Sequence, residues 1–473
     1  MAGSWPSAQR KRIWQGLIGS VARSPWSVGG LGLLLSVSLL GVCCTTASVG
    51  TARRAGLLRL SSAAALLQSF QGDPTQAPPQ LWYQRLGVKP ALSLWKRLGR
   101  GIWWQAWTAD GQNYLALPAH LLTSSERSKL FARDLDGLIL ISADALNQQH
   151  LEQWLGQEGT APAVVSPLQD ACIRRLDRSA SVQWRPEGLA RLSGALSPLL
   201  QQARHGCLAL RMRGRQLQWH GWVGPRDFAA APPSLAVRDT FSDPELALSS
   251  VSTESGSNSL KPLLQIQGRN IGLLMSALIS RQIIRQPLEQ LYGLGRRQRT
   301  QLLQSPFQLV LLPQTPAFFQ AGVQLQLKPE AEQQSFQASL DAISGRLRDQ
   351  GLQSMAATAV LWTDPLTQKG TVAGGWQWLQ LPSNQALLSI GLGMAPAQQP
   401  FPPLLPEKTP GLRLILLADP AQIVRHKLLS GSWPRVLRQS STLQLSLHTL
   451  GTAGEPEWFE LRGQLSLPVA GAS

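Results

Sequence analysis

Ser93-Leu94-Trp95-Lys96 has the spacing at which a lysine activates a serine for acyl transfer. Such an enzyme also needs companion motifs, and the chain supplies neither. Lys408-Thr409-Pro410 lacks the glycine of one, and there is no Ser-Asp-Asn for the other. No Gly-x-Ser-x-Gly turn presents a strained nucleophile. His120, His150, His205, His220, His426 and His448 form no pair at metal-ligand spacing, and no Cys-x-x-Cys accompanies them. His448 falls on the polar side of an alternating segment and reads as solvated. Gly99-Arg100-Gly101 and Gly293-Leu294-Gly295 lack the third glycine and the preceding strand of a dinucleotide loop. Asp134-Leu135-Asp136-Gly137 is a fragment of a calcium loop and reads better as a capped turn. The sequence therefore names no catalytic residue, no cofactor and no metal ligand.

Two groupings remain, and both suggest contact and not reaction. Tryptophan reaches 17 residues, concentrated at Trp95, Trp103, Trp104 and Trp107, at Trp219 and Trp222, and at Trp376 and Trp378. Trp103 and Trp107 share one side of a strand while Trp104 takes the other, so the three cannot all fill the core of a one-sided sheet. Sheet packing is the ordinary use of such residues. A partner, glycan or lipid surface is the other, since indole joins apolar area to one polar handle. The basic groups are Arg211, Arg213 and Arg215, then Arg296, Arg297 and Arg299, with Lys96, Arg97 and Arg100 as a third. Trp103, Trp107, Trp222 and the first two arginine triplets are the candidate contact residues. An acidic lipid or an acidic protein suits them better than nucleic acid, given the membrane reading below.

Charge is unevenly spread. The chain carries 44 Lys+Arg against 27 Asp+Glu, a formal +17, yet no acidic residue precedes Asp73. Ser24 to Ala52 holds no charge at all, and Val28–Val49 is long enough as a helix to cross a hydrocarbon core. The pattern suggests an uncleaved signal anchor more than a secretory signal, whose apolar region is shorter. A cleaved signal or an acylated cysteine at Cys43 are the alternatives. The body is expected on the extracytoplasmic side. Only Cys172 and Cys207 lie beyond the apolar segment; one disulfide or two buried thiols both suit them.

The periodicity gives α+β, with a transmembrane helix followed by two similar modules of antiparallel sheet packed against helices. The divisions are residues 1–55 for the basic segment and anchor, 56–80 for a linker, 81–235 for a first module, and 236–473 for a second with an extra β-meander. Hairpins are expected at Ile102–Thr108 with Tyr114–Leu117, Cys207–Met212 with Gln216–Val223, Phe307–Leu312 with Gly322–Leu327, and Leu443–Leu447 with Trp458–Leu467. Helices are expected at Val88–Leu98, Ala119–Ala132, Ala145–Leu155, Pro186–Arg204, Leu260–Gln304 and Glu330–Gln350. The second module opens with Leu246–Val251. The best internal match sets Leu138–Asp144 against Leu414–Asp419.

This order, on Leu138–Asp144, Gln308–Leu312 with Val323–Leu327, Leu412–Asp419 and Leu443–Leu467, resembles a family of membrane-anchored envelope proteins common in cyanobacteria. The resemblance covers about residues 80–470 and is one of pattern. It implies a fold and a location, and carries no activity. The expected function is accordingly a membrane-anchored, extracytoplasmic binding or assembly factor, not an enzyme. A carrier of a hydrophobic ligand, or a hydrolase with dispersed groups, stands as the alternative.

Overall fold

The computed structural model describes residues 39–158, 165–193, 200–228, 231, 261–279, 281–292, 294–314, 319–329, 333–356, 359–364, 371–382, 385–404, 411–428, 435–450 and 458–468. In the first half, α1 (Leu39–Ala63) leads into β1 (Leu66–Gln71), α2 (Gln80–Leu86), α3 (Val88–Leu98) and the hairpin of β2 (Ile102–Trp107) and β3 (Asn113–Pro118). Next come α4 (Ser124–Arg127), β4 (Ala132–Leu135), β5 (Leu138–Ile141), α5 (Ala145–Glu158) and α6 (Pro167–Arg178). β6 (Ser181–Trp184), α7 (Pro186–Ser193), β7 (His205–Arg213) and β8 (Gln216–Gly224) complete it.

The second half starts with β9 (Leu264–Gly268), α8 (Gly272–Ile279), α9 (Gln282–Gln290), α10 (Arg296–Gln304), β10 (Phe307–Pro313), β11 (Ala321–Leu327) and α11 (Gln333–Asp349). A meander comes next, in β12 (Gln353–Ala356), β13 (Val360–Asp364), β14 (Thr371–Gln380) and β15 (Ala386–Leu392). β16 (Leu412–Ala418), α12 (Pro420–Arg425), α13 (Arg435–Gln439), β17 (Thr442–Leu450) and β18 (Trp458–Ser466) end it.

Among the described residues all the strands join one antiparallel sheet of 18, in place of two separate sheets. The pairings run β4-β5-β3-β2-β1-β6-β7-β8-β18-β17-β16-β9-β10-β11-β15-β14-β13-β12. The same order therefore extends outward from each side of the β8–β18 seam. β8-β7-β6-β1-β2-β3-β5-β4 on one side corresponds to β18-β17-β16-β9-β10-β11-β15-β14 on the other, which adds β13 and β12. Backbone hydrogen bonds repeat with it. The Arg185 amide donates to the Ala65 carbonyl, and the Ala65 amide to the Trp107 carbonyl. Likewise the Asp419 amide donates to Leu263, and the Leu263 amide to Leu311.

This frame corrects the internal match. Leu138–Ile141 is β5, whose counterpart is β15. Leu414–Ala418 belongs to β16, whose counterpart is β6, and Arg185-Pro186 stands where Asp419-Pro420 stands. Short apolar strands followed by a helix start look alike wherever they sit in a sheet. Two helical expectations also give way. Residues 119–132 form a 3-10 turn and α4 before β4, and residues 264–268 form β9 ahead of α8. Leu246–Val251 lies outside the described residues.

The transmembrane helix expected at Val28–Val49 is overturned. Among the described residues no helix is long and apolar enough to cross a membrane; residues 28–38 lie outside them. The residues just beyond the apolar run are structural. α1 continues through Arg53, Arg54 and Arg59 and buries Leu57 and Leu60 against the sheet. Arg53 Nε meets Asp177 Oδ1 at 2.6 Å, and Arg54 Nε lies 3.7 Å from Oδ2. Arg53 and Arg54 thus pin α1 to α6. Residues 56–80, expected as a linker, contain the end of α1 and all of β1, which lies in the interior of the sheet.

Helices α1, α5 and α6 cover one face of the first half, around Leu67, Trp104, Tyr114, Leu140 and Trp222. Helices α2 and α3 cover the other face, around Trp82, Trp95, Trp103, Leu115 and Ile141. Cys172 on α6 and Cys207 on β7 form a disulfide with Cα atoms 5.9 Å apart, closing one of the two readings left open by the sequence. In the second half, α8, α10 and α11 cover Ile266, Phe307, Trp376 and Leu414. Its opposite face carries a row of polar residues and, among the described residues, takes no helix. Gln267, Gln308, Gln326, Ser389 and Gln377 stand directly opposite one another across β9, β10, β11, β15 and β14. The segment 393–404 lies across this row. Gln308 donates to Pro402 O at 3.0 Å, Gln326 to Gln399 O at 2.8 Å, and Gln377 to Ala397 O at 2.5 Å. The Phe401 and Leu404 amides donate back to Gln326 and Gln267.

Candidate functional site

The seam has a centre. β8 and β18 are nine-residue strands, and His220 and Arg462, the fifth residue of each, stand directly opposite one another. The two strands are counterparts in the repeat, so a local twofold passes through this pair. Around it gather Glu460 and Arg462 from β18, His220 and Trp222 from β8, and Arg175 from α6. Helix α6 is started by Ser166, whose side chain accepts from the Gln169 amide ahead of Pro167 at the first turn. Its buried face then brings Cys172, Arg175 and Leu176 onto the sheet.

The polar groups of this cluster satisfy one another. Arg462 donates twice to Glu460 Oε1, at 2.8 and 3.0 Å. His220 Nε2 bonds the same oxygen. Arg175 donates to the His220 carbonyl at 3.0 Å and reaches Nδ1 at 3.3 Å, while its guanidinium carbon lies 3.5 Å from the centroid of the Trp222 ring. A guanidinium only donates, so Nδ1 accepts and the imidazole proton sits on Nε2, pointing at Glu460. Burial pushes the Glu460 carboxyl up, but the hydrogen bonds from His220 and Arg462 outweigh it and hold the group at about 2. His448, opposite Glu460 on β17, has its imidazole pushed down by burial and by Arg462. It is half-buried, and its expected solvation is corrected.

As chemistry, the cluster is an engaged ionic lock. Both nitrogens of His220 are bonded, leaving no lone pair for a general base. The Ser446 hydroxyl, opposite Arg462 on β17, is buried without a hydrogen bond but stands two strands away from His220. Among the described residues no group of His, Cys, Asp and Glu is arranged to hold a metal.

The candidate contact residues separate sharply. Trp103 is buried, stacked on Phe70 with ring centroids 4.3 Å apart and edge-on to Trp82 and Trp95. Trp222 is buried under Arg175. Trp107 is partly buried against Leu66, Trp184 and Leu189. The tryptophans therefore serve the sheet, whose two faces are both covered here, so residues pointing either way find a core. Arg211 and Arg213 are exposed at the outer end of β7, and Arg215, also exposed, donates to Leu467 O at 2.9 Å. Arg299 bonds Glu289 at 3.1 Å and Leu294 O at 3.0 Å. Arg296 and Arg297 are exposed.

Those last two lie on α10, close in sequence to α9. No side chain of α9 or α10 is fully buried, although Leu302 packs partly buried on the core. Ile283 is 81 % exposed, flanked two residues away on each side by exposed Arg281 and Arg285. Leu294, just ahead of α10, is buried. Arg175 was missed by sequence reasoning because no helix was read between Leu155 and Pro186, and His220 and Glu460 were missed because only the pairing of β8 with β18 brings them together. The signal that marks α6 is Ser166-Pro167 followed by Leu168, Ala171, Cys172 and Leu176 at helical spacing. Set against family models, curated proteins and solved structures, the chain matches none of them.

Proposed function

We propose that the chain is an extracytoplasmic binding or assembly factor that works by contact through α9 and α10. One observation carries this reading. Glu460, His220 and Arg462 bond each other inside the seam, whereas no side chain of α9 or α10 is fully buried and both helices display arginine or isoleucine outward. A large exposed apolar side chain set among charges marks an interaction surface in proteins generally. The Cys172–Cys207 disulfide supports the location, since such bonds persist in oxidising compartments. The resemblance to cyanobacterial envelope proteins supports the same location.

The test is site-specific photocrosslinking of the native protein, with the reactive group at Gln282 and a control at Gln153, both exposed. Mass spectrometry should recover adducts from position 282 that position 153 does not give, together with an intact disulfide. Equal labelling at both positions, or reduced cysteines in freshly isolated protein, would sink this reading.

A further inference from the structure

Helices α9 and α10 hold surface chemistry that the fold itself does not consume. Resting on the contact reading above, we infer that they dock onto an anionic lipid surface. Ile283 enters the head-group layer, and Arg281, Arg285, Arg296 and Arg297 meet lipid phosphates. Residues 281–304 contain five arginines and a single carboxylate, Glu289, which Arg299 already neutralises. The other four arginines form no ion pair among the described residues, so their charge is directed outward.

Charge alone would suit any acidic partner. The apolar component narrows the choice. Among the described residues, Ile283 is the most exposed large hydrophobic residue. Arg281 and Arg285 leave the helix on its other side, and their long aliphatic stems let the guanidinium heads reach phosphate level at the edge of such a contact. Guanidinium forks match phosphate oxygens in pairs, and each basic residue near an anionic leaflet adds to the attraction. A nucleic acid would ask for aromatic platforms, and residues 281–304 offer only Tyr292.

The test uses the full, disulfide-bonded chain in co-sedimentation with two vesicle types. One is phosphatidylcholine alone; the other contains about one third phosphatidylglycerol, so that anionic lipid attracts the arginines. The parent should bind the anionic vesicles only, more weakly as salt rises, and inorganic phosphate at equal ionic strength should not compete. Arg296→Gln with Arg297→Gln should weaken binding about thirtyfold, and Ile283→Asp about tenfold. Lys89→Gln with Arg133→Gln removes the same charge elsewhere and should change binding less than about threefold. Salt titration of the parent needs no substitution and reads the same contact. Failure to bind anionic vesicles, equal binding to neutral ones, or equal loss in the Lys89/Arg133 control overturns the lipid assignment. Competition by inorganic phosphate also overturns it, pointing to a free anion. A specific protein adduct at position 282 without vesicle binding leaves the contact reading standing and removes the lipid.

Discussion

His220 and Arg462 face each other at the midpoint of the β8–β18 seam, at positions the internal repeat makes equivalent. A symmetric junction would place the same residue at both positions. Here the pair has diverged into an imidazole and a guanidinium with one carboxylate, Glu460, bonded to both. Two like halves are thereby joined in one defined register, because sliding β18 by a residue would carry Glu460 to the other face of the sheet.

Removing that carboxylate is expected to loosen the seam. Glu460→Gln leaves the Arg462 guanidinium beside a group that cannot balance its charge and takes the carboxylate from His220 Nε2, at a cost of about 2–4 kcal/mol. Arg462→Leu should cost less in the Glu460→Gln background than in the parent, since the uncompensated guanidinium is then gone. Urea unfolding of the four proteins measures both values. Simple additivity would show that the lock contributes nothing beyond its separate side chains.

The same lock sets an acid limit. The folded Glu460 carboxyl lies at about 2 against an ordinary 4.5, so its contribution is complete above 4.5 and disappears as pH falls towards 2. His448 adds an earlier decline. Its folded imidazole is held below 6.5, so the unfolded chain binds that proton first and stability begins to fall below about pH 6.5. Unfolding midpoints followed downward in pH should show both stages. Glu460→Gln should shrink the lower one and keep the upper, since Asp110, Glu126 and Asp144 are also held below the usual carboxylate range by their hydrogen bonds.

Reduction should also weaken the fold measurably. The Cys172–Cys207 bond closes a loop with a sequence separation of 35, worth about 3–4 kcal/mol through restriction of the unfolded chain. Because α6 carries Arg175 as well, a Cys172→Ala, Cys207→Ala variant should lower the thermal midpoint and expose Trp222 to a fluorescence quencher. An unchanged quenching profile would separate the disulfide from the seam.

The extended segment over the second half depends on glutamine side chains. Gln326 bonds it twice, donating to Gln399 O and accepting from the Phe401 amide. Gln326→Ala should cost about 1–3 kcal/mol and speed proteolysis within 393–404. Gln153→Ala, on α5 in the first half, should leave the cleavage rate alone.

Much of the local structure was legible in the residues. Helix α3 falls at Val88–Leu98 as its apolar spacing predicts, and the four hairpins appear close to where turns and alternation place them. Phe459, Leu461, Leu465 and Leu467 do share an apolar face. The opposite face of the same strand is enclosed, although its polar alternation alone would leave it to solvent. Glu460 and Arg462 alternate as solvent-facing residues do, and only the long-range pairing with β8 encloses them. The tryptophans misled for a related reason. Alternation assigns Trp103 and Trp104 to opposite faces, but it is silent on whether both faces are covered. The arginines of α9 and α10 were visible because no fold-level partner intervenes.

The seam also imposes an order of events on synthesis. His220 and Glu460 are 240 residues apart, so β8 is complete long before the strand that pairs with it exists. Until then the first half presents an open edge beside Trp222 and Val223, a template for any strand of matching pattern. The strand that fits best is β18, and another copy's β18 fits equally well. At high concentration, partly made or partly unfolded chains should therefore exchange their C-terminal hairpins, giving swapped dimers and then longer chains of molecules.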